Sequence, residues 1–251
     1  MILLNDLVAF LDEHLAIATI PDYPGALNGL QLANEGKVGR VIAAVDASLG
    51  VVEAAAAGGP GLLLVHHGMF WQGAQPLRGA FYRKIKIAMD AGLAIYSAHL
   101  PLDVHPQWGN NHGLAQAIGM REVTPFLDWK GMAVGLRGAW DGTPDELAQR
   151  LMQAVRGPVH VCAGGPAKIT SVGLVTGGAG SEVARVAAAG VDAFVTGEGP
   201  HWSFPLAEEL GINVFLAGHY ATETFGVKAL AEALSQHFDL PSSFIDRPTG
   251  L

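Results

Sequence analysis

The sequence predicts an α/β protein with two α/β domains whose sheets are mostly parallel or mixed. The 251 residues are 50% hydrophobic and 15% charged and include 33 glycines, a composition typical of a compact chain with many tight turns. Short apolar runs alternate with segments of helical periodicity about a dozen residues long. This alternation indicates βαβ units, and the chain is long enough to form two hydrophobic cores.

An N-terminal helix and a turn-rich loop precede the alternating part of the chain. Asn5 or Asp6 is the expected N-cap of this helix, which should reach about Ala18. Residues 21–34, PDYPGALNGLQLAN, are rich in turn-forming residues and are expected to form a loop. The alternation then gives predicted strands at 40–46, 61–68 and 93–103 and predicted helices at 49–59, 79–92 and 110–119.

The alternation breaks near residues 123–129 and then restarts, so we place a domain boundary near residue 126. Residues 131–140 alternate in the manner of an exposed edge strand. Thr143 is the expected N-cap of the following helix, with Pro144 at its first position and Glu146 completing a capping box. Further strands are predicted at 159–164, 169–178, 192–199 and 212–220, and further helices at 181–190, 203–211 and 221–238.

Charge and cysteine content exclude several classes of protein. The net charge of −8 disfavours a nucleic-acid partner, because such proteins carry basic surfaces. A single cysteine, Cys162, allows neither an intramolecular disulfide nor a thiolate metal cluster. The N-terminal segment carries acidic residues instead of a basic signal-peptide start, and no apolar run approaches the ~20 residues that span a bilayer. We therefore expect a cytoplasmic protein without a membrane partner.

Histidines and carboxylates recur at the carboxyl ends of the predicted strands. In an open α/β sheet, ligands bind at this edge, because the carboxyl ends of parallel strands meet there. An isolated histidine at a strand end is usually an ordinary hydrogen-bonded polar residue, and HxxxD or HxxxE alone is a weak signal. Their joint occurrence at several strand ends favours a metal site. The residues are His66, His67, His99, Asp103, Glu198, His201, His219 and Glu223.

The donor types and their spacing indicate which metals fit. His219 and Glu223, four residues apart, would lie on one face of a helical turn. His66 and His67 diverge if they lie on a strand, so each could serve a different ion. Nitrogen and oxygen donors without sulfur suit Zn, Mn, Fe, Co or Ni, and carboxylates that can bridge favour two ions about 3.5–4 Å apart. The glycine-rich segment VTGGAGSE lacks the lysine of a phosphate loop, and a tight turn explains it better.

Four segments together resemble a known family: VHHGMFWQG, AHLPLDVHPQWGNN, TGEGPHW and AGHYATE. They are similar to those of the dinuclear metal-centre family, known as GTP cyclohydrolase 1 type 2 homologues or YbgI-like proteins. The resemblance covers nearly the whole chain and implies a two-domain α/β fold and a ring-shaped homohexamer. It also implies two divalent metal ions per chain, which are held by His66, His67, Asp103, His219 and Glu223. His99 would lie close to these ions.

Because these ligands come from both ends of the chain, the last segment is expected to return to the first domain. Residues 1–125 with 213–251 would then form the metal-binding domain, and residues 126–212 a second, smaller α/β domain. We expect a hydrolase that uses a metal-bridged water, with His99, Glu198 or His201 moving protons. The family name implies GTP or a related small molecule as substrate. A metal-dependent phosphoesterase and a non-catalytic, ring-shaped metal-binding assembly protein are the alternatives.

Overall fold

A computed structural model describes all 251 residues and divides them into two compact units. The first unit contains Met1–Leu102 and Gly226–Arg247, and the second contains Asp103–Phe225 and Pro248–Leu251. Both units contain a sheet with helices, so the predicted α/β class with two domains is confirmed. None of the helices has the length and apolar character that crossing a membrane requires.

The helices and strands follow each other in the order that alternation predicts over most of the chain. The strands are β1 (Ile2–Leu3), β2 (Gly29–Leu32), β3 (Lys37–Val38), β4 (Val41–Asp46), β5 (Gly61–His67), β6 (Leu93–Ser97), β7 (Arg121–Trp129), β8 (Met132–Gly142), β9 (His160–Ala163), β10 (Ile169–Leu174), β11 (Ala193–Thr196), β12 (Asn213–Leu216) and β13 (Ser242–Phe244). The helices are α1 (Leu4–His14), α2 (Leu49–Ala56), α3 (Gly79–Asp90), α4 (Leu100–Asp103), α5 (Asn110–Ala117), α6 (Pro144–Val155), α7 (Val183–Ala188), α8 (Ser203–Leu210), α9 (His219–Thr222) and α10 (Thr224–Phe238).

The first unit is built on a five-stranded sheet in the order β13-β4-β5-β6-β2. Strands β13, β4, β5 and β6 are parallel, and β2 pairs antiparallel with β6. The apolar residues of β4 and β5 are buried throughout, as expected for parallel strands that are covered on both faces. Ile42, Leu63 and Ile95 of the sheet and Val52 of α2 share one apolar cluster.

Two predictions for the first unit are wrong. Residues 21–34 are not entirely a loop, because β2 joins the sheet edge through backbone pairing with β6, which the turn-rich sequence hides. The first helix begins at Leu4 and ends at His14, with Leu3 at its N-cap position and no side-chain cap. Packing of its leucine face therefore outweighs the capping preference of Asn5 or Asp6, and the left-handed backbone of Ala16 lies just beyond its end.

The second unit is built on a six-stranded mixed sheet in the order β7-β8-β10-β11-β12-β9. Strands β10, β11 and β12 are parallel, so their carboxyl ends meet at one edge. Strands β7, β8 and β9 add antiparallel pairs on the two sides. Helices α5 and α6 contribute to one apolar cluster with this sheet, and α7 and α8 contribute to another.

The second unit differs from the sequence prediction at its start. Residues 121–129 form the edge strand β7, so β8 lies inside the sheet and residues 131–140 are not an edge strand. The helix cap at Thr143 is confirmed, with the capping box to Glu146 and Pro144 in the first turn. The division at residues 103 and 226 also differs from the predicted boundaries at 126 and 213, because β7 and β12 both belong to the six-stranded sheet.

Candidate metal centre

Three histidines of the first unit come together at the carboxyl edge of its parallel strands. His66 and His67 are the last residues of β5, and His99 follows β6. One ring nitrogen from each histidine lies within 4.8 Å of the others, and the ring centroids of His66 and His99 are 4.9 Å apart. Neighbouring strand ends thus bring His99 next to a pair that precedes it by more than thirty residues.

Each imidazole of the adjacent pair makes a hydrogen bond from its Nδ1 atom to an oxygen atom. His66 Nδ1 donates to the carbonyl oxygen of Ala98 at 2.9 Å, and His67 Nδ1 donates to Asp46 Oδ1 at 2.9 Å. Carbonyl and carboxylate oxygens only accept hydrogen bonds, so Nδ1 carries the proton and the lone pair of the neutral ring lies on Nε2. Metal-binding histidines in proteins are oriented by this kind of contact.

The third histidine is held by a largely buried carboxylate from the loop before β2. Asp22 Oδ1 accepts a hydrogen bond from His99 Nδ1 at 2.9 Å, and Asp22 Oδ2 accepts from the backbone N–H of Leu100 and from Asn28. Burial alone would raise the pKa of Asp22, but the hydrogen bonds and charge of its partners outweigh burial and lower it. Asp22 is therefore an ionised anchor for the His99 ring.

In the second unit, His219 lies between two carboxylates. The turn from β12 into α9 places its Nε2 atom 3.1 Å from Glu223 Oε1 and its Nδ1 atom 2.9 Å from Glu198 Oε1. Burial alone would lower the pKa of His219, but the hydrogen bonds and charges of Glu223 and Glu198 raise it to about 9. Without another cation, the ring is an imidazolium that donates from both nitrogens at neutral pH.

Two buried carboxylates of the second unit lie close to each other. Asp103 is 6% exposed and Glu223 is 2% exposed, and a carboxylate oxygen of each lies within 4.8 Å of the other. Asp103 Oδ1 accepts hydrogen bonds from Asn110 Nδ2 at 2.8 Å and from Thr176 Oγ1 at 3.3 Å. Buried carboxylate oxygens this close together can bind one divalent cation between them. The pair is therefore typical of a cation site.

Glycines let the main chain approach Glu223 and His219. Gly177 has a left-handed backbone (φ +70°), and a Cβ atom there would overlap Glu223 Oε1. Its N–H donates to Thr222 Oγ1 at 3.0 Å, which links the loop after β10 to α9. A Cβ atom on Gly197 would lie 2.7 Å from His219 Cα. The glycine-rich segment after β10 therefore shapes a side-chain cluster, in agreement with the tight-turn interpretation.

The eight residues singled out from the sequence fall into two groups by unit. The first unit brings together His66, His67 and His99. The second brings Glu198, His219 and Glu223 into direct contact and places Asp103 near Glu223. The side chain of His201 is exposed two residues before α8, and its backbone carbonyl accepts a hydrogen bond from the N–H of Phe204.

Sequence reasoning missed the side chains that hold the histidines. Asp46 ends β4, and a carboxylate at a strand end was a usable signal. Asp22 lies in a loop 77 residues before its partner, with no pattern that marks it. Asn110 and Thr176 contact Asp103 only through folding, since they lie 7 and 73 residues away.

The donor set fits a divalent transition-metal ion. Imidazole nitrogens and carboxylate oxygens, without thiolates, are the ligands that Zn, Mn, Fe, Co and Ni accept. Outer hydrogen bonds fix the histidines, and a polar cradle holds Asp103. Such outer contacts accompany most metal-ligating histidines in proteins.

Comparison with known proteins identifies the family of this chain. Residues 2–249 match the family model described as Duf34/NIF3 (NGG1p interacting factor 3). A relative from Deinococcus radiodurans, named GTP cyclohydrolase 1 type 2 homolog, is 41% identical over 252 residues, covering 98% of this chain and 94% of that protein.

Solved structures agree with this match over the full length. The protein ybgI, described as of unknown function, is similar with a TM-score of 0.92 and 33% identity, covering 100% of both chains. A crystal structure of a Thermus thermophilus protein is similar with a TM-score of 0.90 and 39% identity, again over 100% of both chains. The family match and these full-length similarities have one consequence: the chain belongs to the Duf34/NIF3 family.

Proposed function

We propose that this protein is a metal-dependent hydrolase that holds two divalent ions per chain. The proposed ligands are His66, His67, Asp103, His219 and Glu223. The observation that carries the proposal is the shared orientation of the histidines: His66, His67 and His219 each hold Nδ1 on an oxygen acceptor. Because the anchor uses Nδ1, Nε2 is the nitrogen that each ring would offer to a metal, and at His219 this nitrogen contacts Glu223, which is itself a proposed ligand.

Divalent ions on such ligands act as Lewis acids and activate water for hydrolysis near neutral pH. The residues of this chain supply orientation and proton transfer. His99 is the proposed proton carrier, because Asp22 fixes its ring with the lone pair on Nε2 in the neutral form. Glu198, also predicted to move protons, bonds to His219 Nδ1, and this contact supports a positioning role. His201 stays a prediction as a proton carrier.

The proposed substrate is a nucleotide or a related small molecule, with ring opening of the GTP cyclohydrolase type as the first reaction to test. The support is the name of the relatives, GTP cyclohydrolase 1 type 2 homolog. The ring-shaped homohexamer stays a prediction that follows from the family resemblance. The cytoplasmic location stays a prediction that follows from the single cysteine.

The experiment combines metal analysis with turnover. The purified protein, reconstituted with Zn, Mn, Fe, Co or Ni, is assayed against GTP and against a panel of nucleotide phosphoesters. We expect the wild-type protein to turn over a substrate, and we expect His66→Ala and Glu223→Ala to abolish this turnover. His160→Ala is the control and should keep the wild-type turnover, because His160 is an exposed residue of β9. Turnover that survives both site variants contradicts the proposal. Stoichiometric metal without turnover of any substrate supports a non-catalytic metal-binding protein instead.

A further inference from the structure

Two partly exposed aromatic rings of the first unit lie beside His99. The Trp71 ring centroid is 4.8 Å from that of His99 and 5.9 Å from that of His67, and its plane is nearly perpendicular to both imidazoles. The Tyr23 ring centroid is 6.1 Å from that of His99. Trp71 is 37% exposed and Tyr23 is 49% exposed. A scattered exposed aromatic residue needs no explanation, but here two partly exposed rings lie beside the same histidine.

The loop that carries Trp71 has a defined turn. The N–H of Gly73, which has φ +72°, donates to the carbonyl oxygen of Phe70 at 2.8 Å and closes a turn around Trp71. The Phe70 ring packs edge-on against Phe81 of α3, with centroids 6.2 Å apart. Phe70 therefore packs against α3, whereas the adjacent Trp71 ring is partly exposed at the surface.

The loop that carries Tyr23 is fastened to the Trp71 loop. A Cβ atom on Gly25 would lie 2.7 Å from the carbonyl oxygen of Trp71, so the two backbones touch. Gln31 Oε1 accepts from the N–H of Met69 at 2.7 Å. Asp22, which anchors His99, also accepts a hydrogen bond from the N–H of Tyr23. The backbone segments that carry both rings are thus held next to the loop of His99, and the rings themselves lie 4.8 Å and 6.1 Å from the His99 ring.

We propose that Trp71 and Tyr23 form a stacking surface for a flat nitrogen heteroaromatic ring, such as a nucleobase, of the substrate. This inference rests on the proposed function, since it places the ring at His99, the proposed proton carrier. Aromatic side chains bind any of the nucleobases through stacking, which contributes about 1–3 kcal/mol per base. Backbone segments that are already ordered lose little conformational entropy when a ligand stacks on their side chains, which favours affinity.

The test is equilibrium binding, which needs no turnover. GTP, ATP and ring-free tripolyphosphate are titrated into the wild-type protein and into Trp71→Ala, Trp71→Phe and Tyr23→Ala. Trp202→Ala is the matched control, because Trp202 is 49% exposed in the second unit. Tryptophan fluorescence, isothermal titration and the mass of the assembly are recorded for each protein.

We expect at least one nucleotide to bind more tightly than tripolyphosphate and to quench fluorescence. Trp71→Ala should weaken nucleotide binding about tenfold and leave tripolyphosphate unchanged, whereas Trp71→Phe keeps most of the affinity. The inference is overturned if the wild-type protein binds no nucleotide, or if Trp71→Ala loses affinity for the nucleotide and for tripolyphosphate equally. It is also overturned if Trp71→Ala changes the mass of the assembly and leaves the nucleotide affinity unchanged. Nucleotide stacking without turnover of any substrate rejects the hydrolase and leaves the stacking surface standing.

Discussion

His67 Nδ1 donates a hydrogen bond to Asp46 Oδ1 at 2.9 Å, and the two residues are register partners at the ends of adjacent parallel strands. The carboxyl end of β4 therefore orients an imidazole at the end of β5. Asp46 contacts Nδ1 of the ring, so we expect it to position His67 and not to bind a metal itself.

Replacing Asp46 should weaken metal binding without unfolding the protein. In Asp46→Ala, His67 loses the contact that fixes its ring and its tautomer, so the Kd for a divalent ion should rise about 10–100-fold. Competition with a chromophoric chelator measures this change. Asp90→Ala, which removes an exposed ion pair with Lys86 on α3, is the control and should leave Kd unchanged. Equal Kd values for Asp46→Ala and wild type contradict the positioning role.

A methyl group at Gly177 should disturb Glu223. Gly177→Ala places Cβ against Glu223 Oε1 and also strains a left-handed backbone, so we expect lost metal and a loss of stability above about 2 kcal/mol. Gly190→Ala is a matched control, because Gly190 has φ +73° with open space around its Cβ position. Its cost should be near the backbone strain alone, about 1 kcal/mol. Metal content and chemical denaturation are measured for both variants. Equal effects would show that the close approach to Glu223 is unimportant.

Arg40 should stabilise the end of α2. One guanidinium nitrogen, Nη2, donates to the carbonyl oxygens of Ala55 and Gly59, both at 2.6 Å. Arg40→Met removes these donors and leaves the carbonyls without their charged partner, which should cost about 2 kcal/mol of unfolding free energy. Urea denaturation compares this variant with Arg83→Met, an exposed position on α3. If the urea midpoint of Arg40→Met equals that of Arg83→Met, Arg40 does not stabilise the end of α2.

Asp192 should make stability depend on pH in the acidic range. Burial alone would raise the pKa of Asp192, but hydrogen bonds from Thr170 and Ser171 outweigh it and lower the pKa. A lowered folded-state pKa gives stability that is present above the unfolded value, about 3.9, and lost as pH falls through the folded value.

Asp192→Asn should therefore be less stable than wild type at pH 7, by only about 1 kcal/mol because the residue is partly exposed and water screens its charge. The difference should shrink below about pH 4, near the unfolded pKa. Chemical denaturation from neutral pH down through this range measures it, with the exposed Asp141→Asn as control. A difference that stays constant over this range contradicts the assignment.

The apolar runs made much of the fold and of the candidate site predictable. A run such as residues 61–65 fills the buried part of β5, and His66 and His67 follow directly as the last two residues of the strand. The spacing of His219 and Glu223 likewise indicated their contact, which the structure has at 3.1 Å. These signals are local, so the sequence shows them without knowledge of the tertiary structure.

Other features depend on contacts that local patterns do not record. The division between the units falls within α4 and α10, where the backbone stays helical and no loop marks a boundary. Strand β2 forms through pairing with β6, and Asp22 reaches His99 across 77 residues. Backbone pairing and long-range hydrogen bonds of this kind are set by the folded sheet.

We propose that the histidines and buried carboxylates hold divalent metal, and the metal content per chain is the measurement that checks this. Elemental analysis of the reconstituted protein should give two divalent ions per chain for the wild type and for His160→Ala. His66→Ala and Glu223→Ala should give fewer. A metal content near zero in the wild-type protein, or two ions per chain in both site variants, would show that these residues do not hold the metal.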